Sequence, residues 1–318
     1  MTKARILIVG AGQLGSRHLQ ALASLAEPAS IQVVDPSPSS LDAARKRWGE
    51  VNGHEDVEFF TALKNAAPDV DVVIVATNAD VRRRVIESML DRVRPSYVVL
   101  EKVLFQHPDD FDAVAGLFAN RGIRVWVNCP RRMWPFYQEL RSRVKRPVRL
   151  GVTGTNWGLA CNAIHFIDLF AYLSGQKEYV LNASFDEGYI ESKREGFIEM
   201  TGSITADYGI GGQASLTSLA SGETPFVVTI EDAAHRWNIE EGKGTLKVFD
   251  KSTGAEKEQV LKVPFQSQLT NIVVTQLLSD GECPLTPYGE SWSLHVPLLK
   301  AVSEHLYGPG KVNRCPIT

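Results

Sequence analysis

Through the first 130 positions, short uninterrupted apolar runs alternate with stretches in which apolar residues recur every three or four positions. The runs are 5–9 (RILIV), 31–35 (IQVVD), 71–77 (DVVIVAT), 97–101 (YVVLE) and 123–127 (IRVWV). Between them, Leu14, His18, Ala21, Leu22 and Leu25 follow helical spacing until Pro28, and further helices are predicted near 39–48, 80–92 and 108–120. Strand and helix in alternation predict βαβ units, and strands apolar on both faces predict a parallel sheet covered by helices on both sides. After about residue 145 the pattern changes. In FIEMTGSIT at 197–205, Ile198, Met200 and Ile204 alternate with Glu199, Thr201, Ser203 and Thr205, so a strand with one polar face is predicted. QASLTSL, FVVTIE and TLKVF continue in that style, with helices near 161–174, 266–279 and 289–306. A largely antiparallel sheet is expected there, and the boundary is placed near residue 129, giving domains 1–129 and 130–318.

Composition narrows the class. A chain of 318 residues is long for one average domain, and 44% hydrophobic with 22% charged residues is ordinary globular usage. The formal net charge of -3 leaves no overall basic field for nucleic acid or an anionic membrane. The four cysteines, Cys129, Cys161, Cys283 and Cys315, form no CxxC pair, so reduced thiols are expected and no metal site. No run approaches the roughly 20 apolar residues of a membrane span, and the segment before the glycines lacks a leader pattern, so a cytoplasmic protein is expected.

Gly10, Gly12 and Gly15 form GxGxxG directly after a predicted strand and directly before a helix. The first glycine allows a tight turn, the second a close approach of backbone to a pyrophosphate, and the third close packing of helix on strand. The helix N-terminus adds free N–H groups and partial positive charge. Asp35 ends the second strand, where a carboxylate can accept both ribose hydroxyls of an adenosine. Pro36, Ser37 and Pro38 offer no cation for a 2′-phosphate, so NAD is favoured over NADP.

GAGQLGSRH at 10–18, VVD at 33–35, ATNAD at 76–80, EK at 101–102, RRMWP at 131–135 and AIHFID at 163–168 stand in an order that resembles the Gfo/Idh/MocA family of nicotinamide-dependent oxidoreductases. The resemblance covers about residues 4–170. It implies an α/β protein: an N-terminal Rossmann doubly wound parallel sheet, followed by an α+β domain for substrate and oligomerisation with a large open, mostly antiparallel sheet. It further implies a sugar or cyclitol substrate, a homodimer or homotetramer packed through those sheets, and Gln13, Leu14, Thr77, Asn78 and Glu101 beside the cofactor with Gly10, Gly12, Gly15 and Asp35.

Lys102 matches the lysine of the family's EKP motif, with Val103 in place of the proline, and an ammonium there can stabilise developing alkoxide charge. His165 matches the family histidine, and an imidazole suits proton exchange with a hydroxyl at neutral pH. Asp168, three residues on, shares its helical face and can orient the ring or pair locally. Where the family carries an aspartate four residues before the histidine, this chain has Cys161, followed by Asn162; both are candidates for the substrate side with Asp168. Arg82 stands where a histidine is common.

Residues 121–149 hold nine basic side chains and one acid, Glu139. Most read as a solvated face. Arg131 and Arg132 fall on the family's arginine-containing motif, and Arg131 as a carboxylate or phosphate clamp would indicate an anionic sugar: a sugar acid, sugar phosphate or sugar nucleotide. The leading expectation is an NAD-dependent oxidoreductase moving a hydride between nicotinamide and a hydroxyl or keto carbon of a sugar-like substrate. Two readings stand beside it: a catalytically inactive NAD-binding regulatory or scaffold protein, and a glycosidase- or epimerase-type enzyme that uses NAD transiently.

Overall fold

The computed structural model describes residues 3–51 and 56–318. Positions 1, 2 and 52–55 of the 1–129 span lie outside the described residues. In chain order the elements are β1 (Ala4–Val9), α1 (Gln13–Leu22), β2 (Ala29–Val34), α2 (Pro38–Glu50), β3 (Val57–Phe60), β4 (Asp69–Val75), α3 (Ala79–Leu90), β5 (Arg94–Leu100), α4 (Asp109–Ala119) and β6 (Arg124–Val127). Next come α5 (Pro135–Arg143), β7 (Val148–Thr155), α6 (Leu159–Ser174), β8 (Val180–Phe185), β9 (Ile190–Glu191), β10 (Ile198–Glu199), β11 (Gly202–Asp207) and β12 (Gly212–Leu219). They are followed by β13 (Val227–Glu231), β14 (His235–Glu240), β15 (Thr245–Asp250), β16 (Glu256–Val260), α7 (Thr270–Asp280), β17 (Thr286–Pro287) and α8 (Tyr288–Tyr307).

The chain divides into two units. The first comprises Met1–Phe105, Asp109–Pro130 and Pro264–Gly289; the second comprises Gln106–Pro108, Arg131–Val263 and Glu290–Thr318. In the first, the strand order β17-β6-β5-β4-β1-β2-β3 is a doubly wound sheet, parallel from β1 to β6, with β17 antiparallel on β6. Its central strands are sealed on both faces: Ile6, Leu7, Ile8, Val72, Val73, Ile74 and Val75 are all buried. The order reverses between β1 and β4, and in open sheets of this kind ligands bind beyond the carboxyl ends of the strands at that point.

The return of residues 264–289 to the first unit departs from the sequence-based span 130–318. The cause is local packing. The Thr270 and Gln266 side chains bond into the sheet's buried polar cluster, α7 packs on α1, and Thr286 pairs with Val127.

The second unit carries a sheet of order β16-β15-β14-β13-β7-β12-β11-β8, antiparallel except for the β7–β12 pair. Along β7, Val148, Leu150 and Val152 are buried while Arg149 and Thr153 are exposed, so one face packs and one is open. α6 lies on the packed face against β7 and β12. FIEMTGSIT is two strands rather than one. Gly202 sits at φ +112° with Ser184 O only 2.4 Å from where a Cβ would stand, and the chain turns there from β10 into β11. Glu199 and Thr201, predicted on a polar face, are consequently buried.

Candidate functional site

The glycine loop of the first unit is built by contact. Gly10 has φ +99°, and a Cβ there would stand 2.9 Å from the Ala76 carbonyl; a Cβ on Gly15 would lie 1.8 Å from Gly10 O. Gly12 meets nothing within 4 Å, so its missing side chain serves space outside the protein's own packing. Gly12 is also the N-cap of α1 and has no side chain to occupy the first-turn N–H groups. Asp35 reaches this loop from the end of β2: Oδ2 accepts from Ala11 N at 2.7 Å and Oδ1 from Ser37 N at 2.8 Å. A carboxylate has about four lone-pair directions, so acceptor capacity remains on both oxygens.

Gly10, Gly12, Asp35, Ala76, Thr77, Asn78 and Arg84 help to line a cleft of about 550 Å³. Thr77 Oγ1 is buried and has no hydrogen-bond partner among the described residues. Asn78 caps α3 through its backbone position alone, with no side-chain capping bond. An open position at Gly12, an orphaned hydroxyl and an engaged but unsaturated carboxylate fit a dinucleotide. Gln13 and Leu14 open α1 beside them; Gln13 is exposed and is held from outside the cleft by Arg47, at 2.6 Å to Oε1. Arg84, exposed on α3, is a cation on the cleft wall that the sequence near Asp35 did not announce.

Glu101 and Lys102 follow β5. Lys102 is half-buried, and the Lys102–Val103 peptide is cis. Glu101 turns inward, away from the surface of the cleft: its Oε1 lies 2.8 Å from His18 Nε2 and 2.6 Å from Asn128 Nδ2. His18 Nδ1 lies 2.8 Å from Thr270 Oγ1, and Gln266 joins through Asn128 at 3.0 Å. Burial pushes the Glu101 carboxyl up, but the His18 and Asn128 hydrogen bonds and the Arg82 charge together hold it below the ordinary carboxylate range. Arg82, 1% exposed, donates to the carbonyls of Thr77, Val103 and Leu104. It therefore staples the segment after Lys102 to the end of β4. Glu101 was expected at the cofactor; the contacts observed for it are with His18 and Asn128, which Thr270 and Gln266 join in turn, partners that no sequence motif marked.

In the second unit α6 is almost wholly buried; only Asn162, His165 and Tyr172 are partly exposed. Asn162 and His165, one turn apart, share a face. Asp168, expected on the substrate side with them, is buried on the same helix. It is 1% exposed, and Arg132 grips it bidentately, Nε and Nη2 each at 2.8 Å, while Nη2 also reaches Glu290 at 2.6 Å. Burial works against the Arg132 charge, but Asp168 and Glu290 more than offset it and raise the guanidinium above its ordinary value.

Arg131, expected as a clamp for an anionic substrate, has its fork on Glu241, at 2.9 and 2.5 Å, and its guanidinium 4.3 Å from the Phe166 ring centre. Tyr137 donates to the same Glu241 at 2.9 Å. Cys161 is buried, its thiol 3.8 Å from Ile198 O, and its N–H and that of Ala160 meet Glu199 Oε2 at 3.3 and 3.0 Å. Glu199 and Glu241 lie far from these partners in sequence, and their positions are set by strand pairing, so spacing gave no signal for them.

Among the described residues no group of three or more His, Cys, Asp or Glu is placed to hold a metal ion, and no helix is long and apolar enough to cross a membrane.

Residues 4–129 match the model of an oxidoreductase family with an NAD-binding Rossmann fold, GFO_IDH_MocA. No curated protein matches the chain. Among solved structures, an oxidoreductase from Agrobacterium radiobacter in complex with NAD+, L-tartaric acid and magnesium superposes with a TM-score of 0.72 at 14% identity, over 96% of this chain and 97% of that one. A UDP-N-acetylglucosamine 3-dehydrogenase from Acidithiobacillus ferrooxidans gives 0.69 at 16% identity, over 95% and 97%. A Gfo/Idh/MocA family oxidoreductase from Vibrio cholerae gives 0.71 at 17%, over 96% and 98%. At these identities the likeness is one of fold, and it extends through both units.

Proposed function

Because residues 4–129 belong to the Gfo/Idh/MocA oxidoreductase family, we propose that the chain is an NAD-dependent oxidoreductase interconverting a hydroxyl and a keto carbon of a sugar-like substrate. The observation that carries this reading is Asp35, a carboxylate tied to the glycine loop and facing the cleft that Gly10, Gly12 and Thr77 line. NAD, when bound, supplies the hydride acceptor; Gly10, Gly12 and Gly15 would take its pyrophosphate and Asp35 its ribose hydroxyls. The charge on Asp35 opposes a 2′-phosphate, which favours NAD over NADP despite Arg84 on the same wall.

Lys102 is assigned the reacting oxygen. Its ammonium stabilises the negative charge that builds there as the hydroxyl loses its proton, and His165 is assigned the proton itself. The Arg131–Glu241 pair speaks against an anionic substrate group at Arg131, since the fork that would grip it is already engaged. The open face of the second sheet is assigned to self-association.

The test follows the absorbance of reduced nicotinamide over a panel of neutral sugars, cyclitols, L-tartrate and sugar nucleotides. Lys102→Ala and His165→Ala should each lower the rate by roughly a hundredfold or more. Full turnover in either variant removes that residue from the mechanism. The buried thiol of Cys161, where an acid would serve catalysis, favours one second reading: a nucleotide-binding protein without turnover. Calorimetric NAD binding with no activity across the panel would select it.

A further inference from the structure

The packed face of the second sheet extends further than the helices that cover it. Residues opposite one another on neighbouring strands point to the same face. Leu150 on β7 stands opposite Ile230 on β13, Ile230 opposite Trp237 on β14, Trp237 opposite Val248 on β15, and Val248 opposite Lys257 on β16. This row therefore runs across the packed face to the edge strand. Leu150 and Trp237 are buried, Val248 is half-buried and Lys257 is exposed. At the outer end Phe136 and Leu140 of α5 line, with Trp237, Val248 and Lys257, a groove of about 340 Å³. All of its lining residues belong to the second unit, and its volume falls in the range of small-molecule sites, about 300–1,000 Å³.

The wall of this groove is aromatic: the Trp237 and His235 ring centres are 5.3 Å apart, and Phe136 stands on the helix side. Most charged groups at its rim are engaged within the chain. Glu139 accepts from Arg143 at 2.8 Å, and Asp250 caps the β15–β16 turn, Oδ1 accepting from the amides of Ser252 and Thr253 at 2.8 and 3.1 Å. Two donors are not engaged. Trp237 is 2% exposed, yet its indole nitrogen keeps contact with solvent and forms no hydrogen bond among the described residues. Lys257 forms no ion pair among them. A donor in an aromatic wall and a cation at its edge both call for acceptors. Two strand spacings, about 10 Å, separate them, a span that a bicyclic ring carrying an acid group can bridge.

We propose that the groove binds a planar aromatic carboxylate, its ring between Trp237 and Phe136 and its anionic end on Lys257. The ring gains apolar contact with Leu140 and Val248, and the carboxylate meets the rim cation that the chain leaves unpaired. Glu139 and Asp250 oppose it little, because Arg143 and the turn amides already hold them. The site does not depend on the oxidoreductase reading, since none of its residues is assigned to the cofactor or to the reacting carbon.

The experiment combines saturation-transfer NMR and calorimetry on the full chain. The probes are 2-naphthoate, 2-naphthalenemethanol and 2-naphthylmethylammonium, one bicyclic ring carrying an anion, a neutral hydroxyl or a cation. Wild type should bind 2-naphthoate about threefold to fivefold more tightly than the alcohol, the contribution of one exposed ion pair. Lys257→Gln, on an exposed edge strand, should keep the wild-type melting temperature and the affinity for the alcohol but lose that preference. Trp237→Phe keeps an aromatic wall and removes the N–H, so its 2-naphthoate affinity should fall by about fivefold. Saturating NADH should leave 2-naphthoate in place. The proposal is overturned by no binding of 2-naphthoate at millimolar concentration, by the ammonium binding as tightly as the carboxylate, by an unchanged preference in Lys257→Gln, by unchanged affinity in Trp237→Phe, or by displacement with NADH. Failure of wild type to bind NADH overturns the nucleotide reading and not this one. If Trp237→Phe fails to fold, Lys257→Gln decides.

Discussion

Asp35 holds the glycine loop through Ala11 N and, in the proposed function, the ribose as well, so its replacements separate the two roles. Asp35→Asn retains an oxygen for Ala11 and loses the charge. Asp35→Ala loses both. Hydrogen bonds to a charged group are worth roughly 1.5–3 kcal/mol, so NAD affinity should fall about tenfold to a hundredfold in Asp35→Ala, with NADP losing less. Fluorescence titration of both reduced nucleotides checks this; an unchanged NAD affinity would detach Asp35 from the ribose. Glu101 yields a second prediction, in pH. Its folded-state pKa lies below the ordinary value of 4.5, so the unfolded chain takes up the proton first as pH falls. The stability it contributes is therefore fully present above about pH 4.5 and is lost as pH drops through the depressed folded value. Glu101→Gln, which breaks a buried hydrogen-bonded cluster, should cost about 3 kcal/mol at pH 7. The gap to wild type in denaturant midpoint should close toward pH 3. A gap independent of pH would mean the carboxyl is not ionised in the folded protein.

The glycine loop shows how an element can be legible in type while its members differ in purpose. Gly15 is closed in by Gly10 O, so Gly15→Ala should lower the melting temperature by pushing α1 off β1. Gly12 is open and has an ordinary φ of -62°, so Gly12→Ala should fold like wild type and lose NAD affinity. Melting and nucleotide titration on the pair decide it; Gly12→Ala binding NAD normally would place the pyrophosphate elsewhere. The GxGxxG spacing, the strand before it and Asp35 were readable because they are local: apolar period, turn and helix start lie within 30 residues. Helix α6 was readable for the same reason, and so was His165 on it. Strands β3 and β17 were missed because VEFF is short and half-buried and Thr286–Pro287 is only two residues, so neither shows a period. FIEMTGSIT was read as one strand because Gly202 breaks it through backbone crowding that only the neighbouring strand creates. Glu199, Glu241 and Thr270 escaped notice for a shared reason: each meets its partner across a long loop of chain, and nothing local distinguishes them from surface polar residues.

At the scale of the whole molecule, the polar alternation of the second sheet has a consequence beyond packing on α6. Thr153, Ser203, Thr205, Ser215, Thr217 and Thr229 all stand on its open face, and all are small. The short side chains form a patch across β11, β12, β7 and β13, with Arg149, Gln213 and Glu231 in register at its end, and such a patch lets a second sheet approach closely and satisfies hydroxyls across the contact. A copy of the same face is its natural complement, because an isologous contact presents the same small residues from both sides. A stable contact of this kind needs about 800 Å² from each partner, which an eight-stranded face can provide. Sedimentation velocity should therefore find wild type as a dimer or a larger even assembly. Ser215 is exposed on β12, in register with Gly151 on β7, so a large cation there disturbs no packing within the chain. Ser215→Arg, entered twice by symmetry near the middle of the face, should shift the chain to monomer with its circular dichroism preserved. Wild type sedimenting as a monomer at micromolar concentration would remove the open face from assembly and leave its hydroxyls to water.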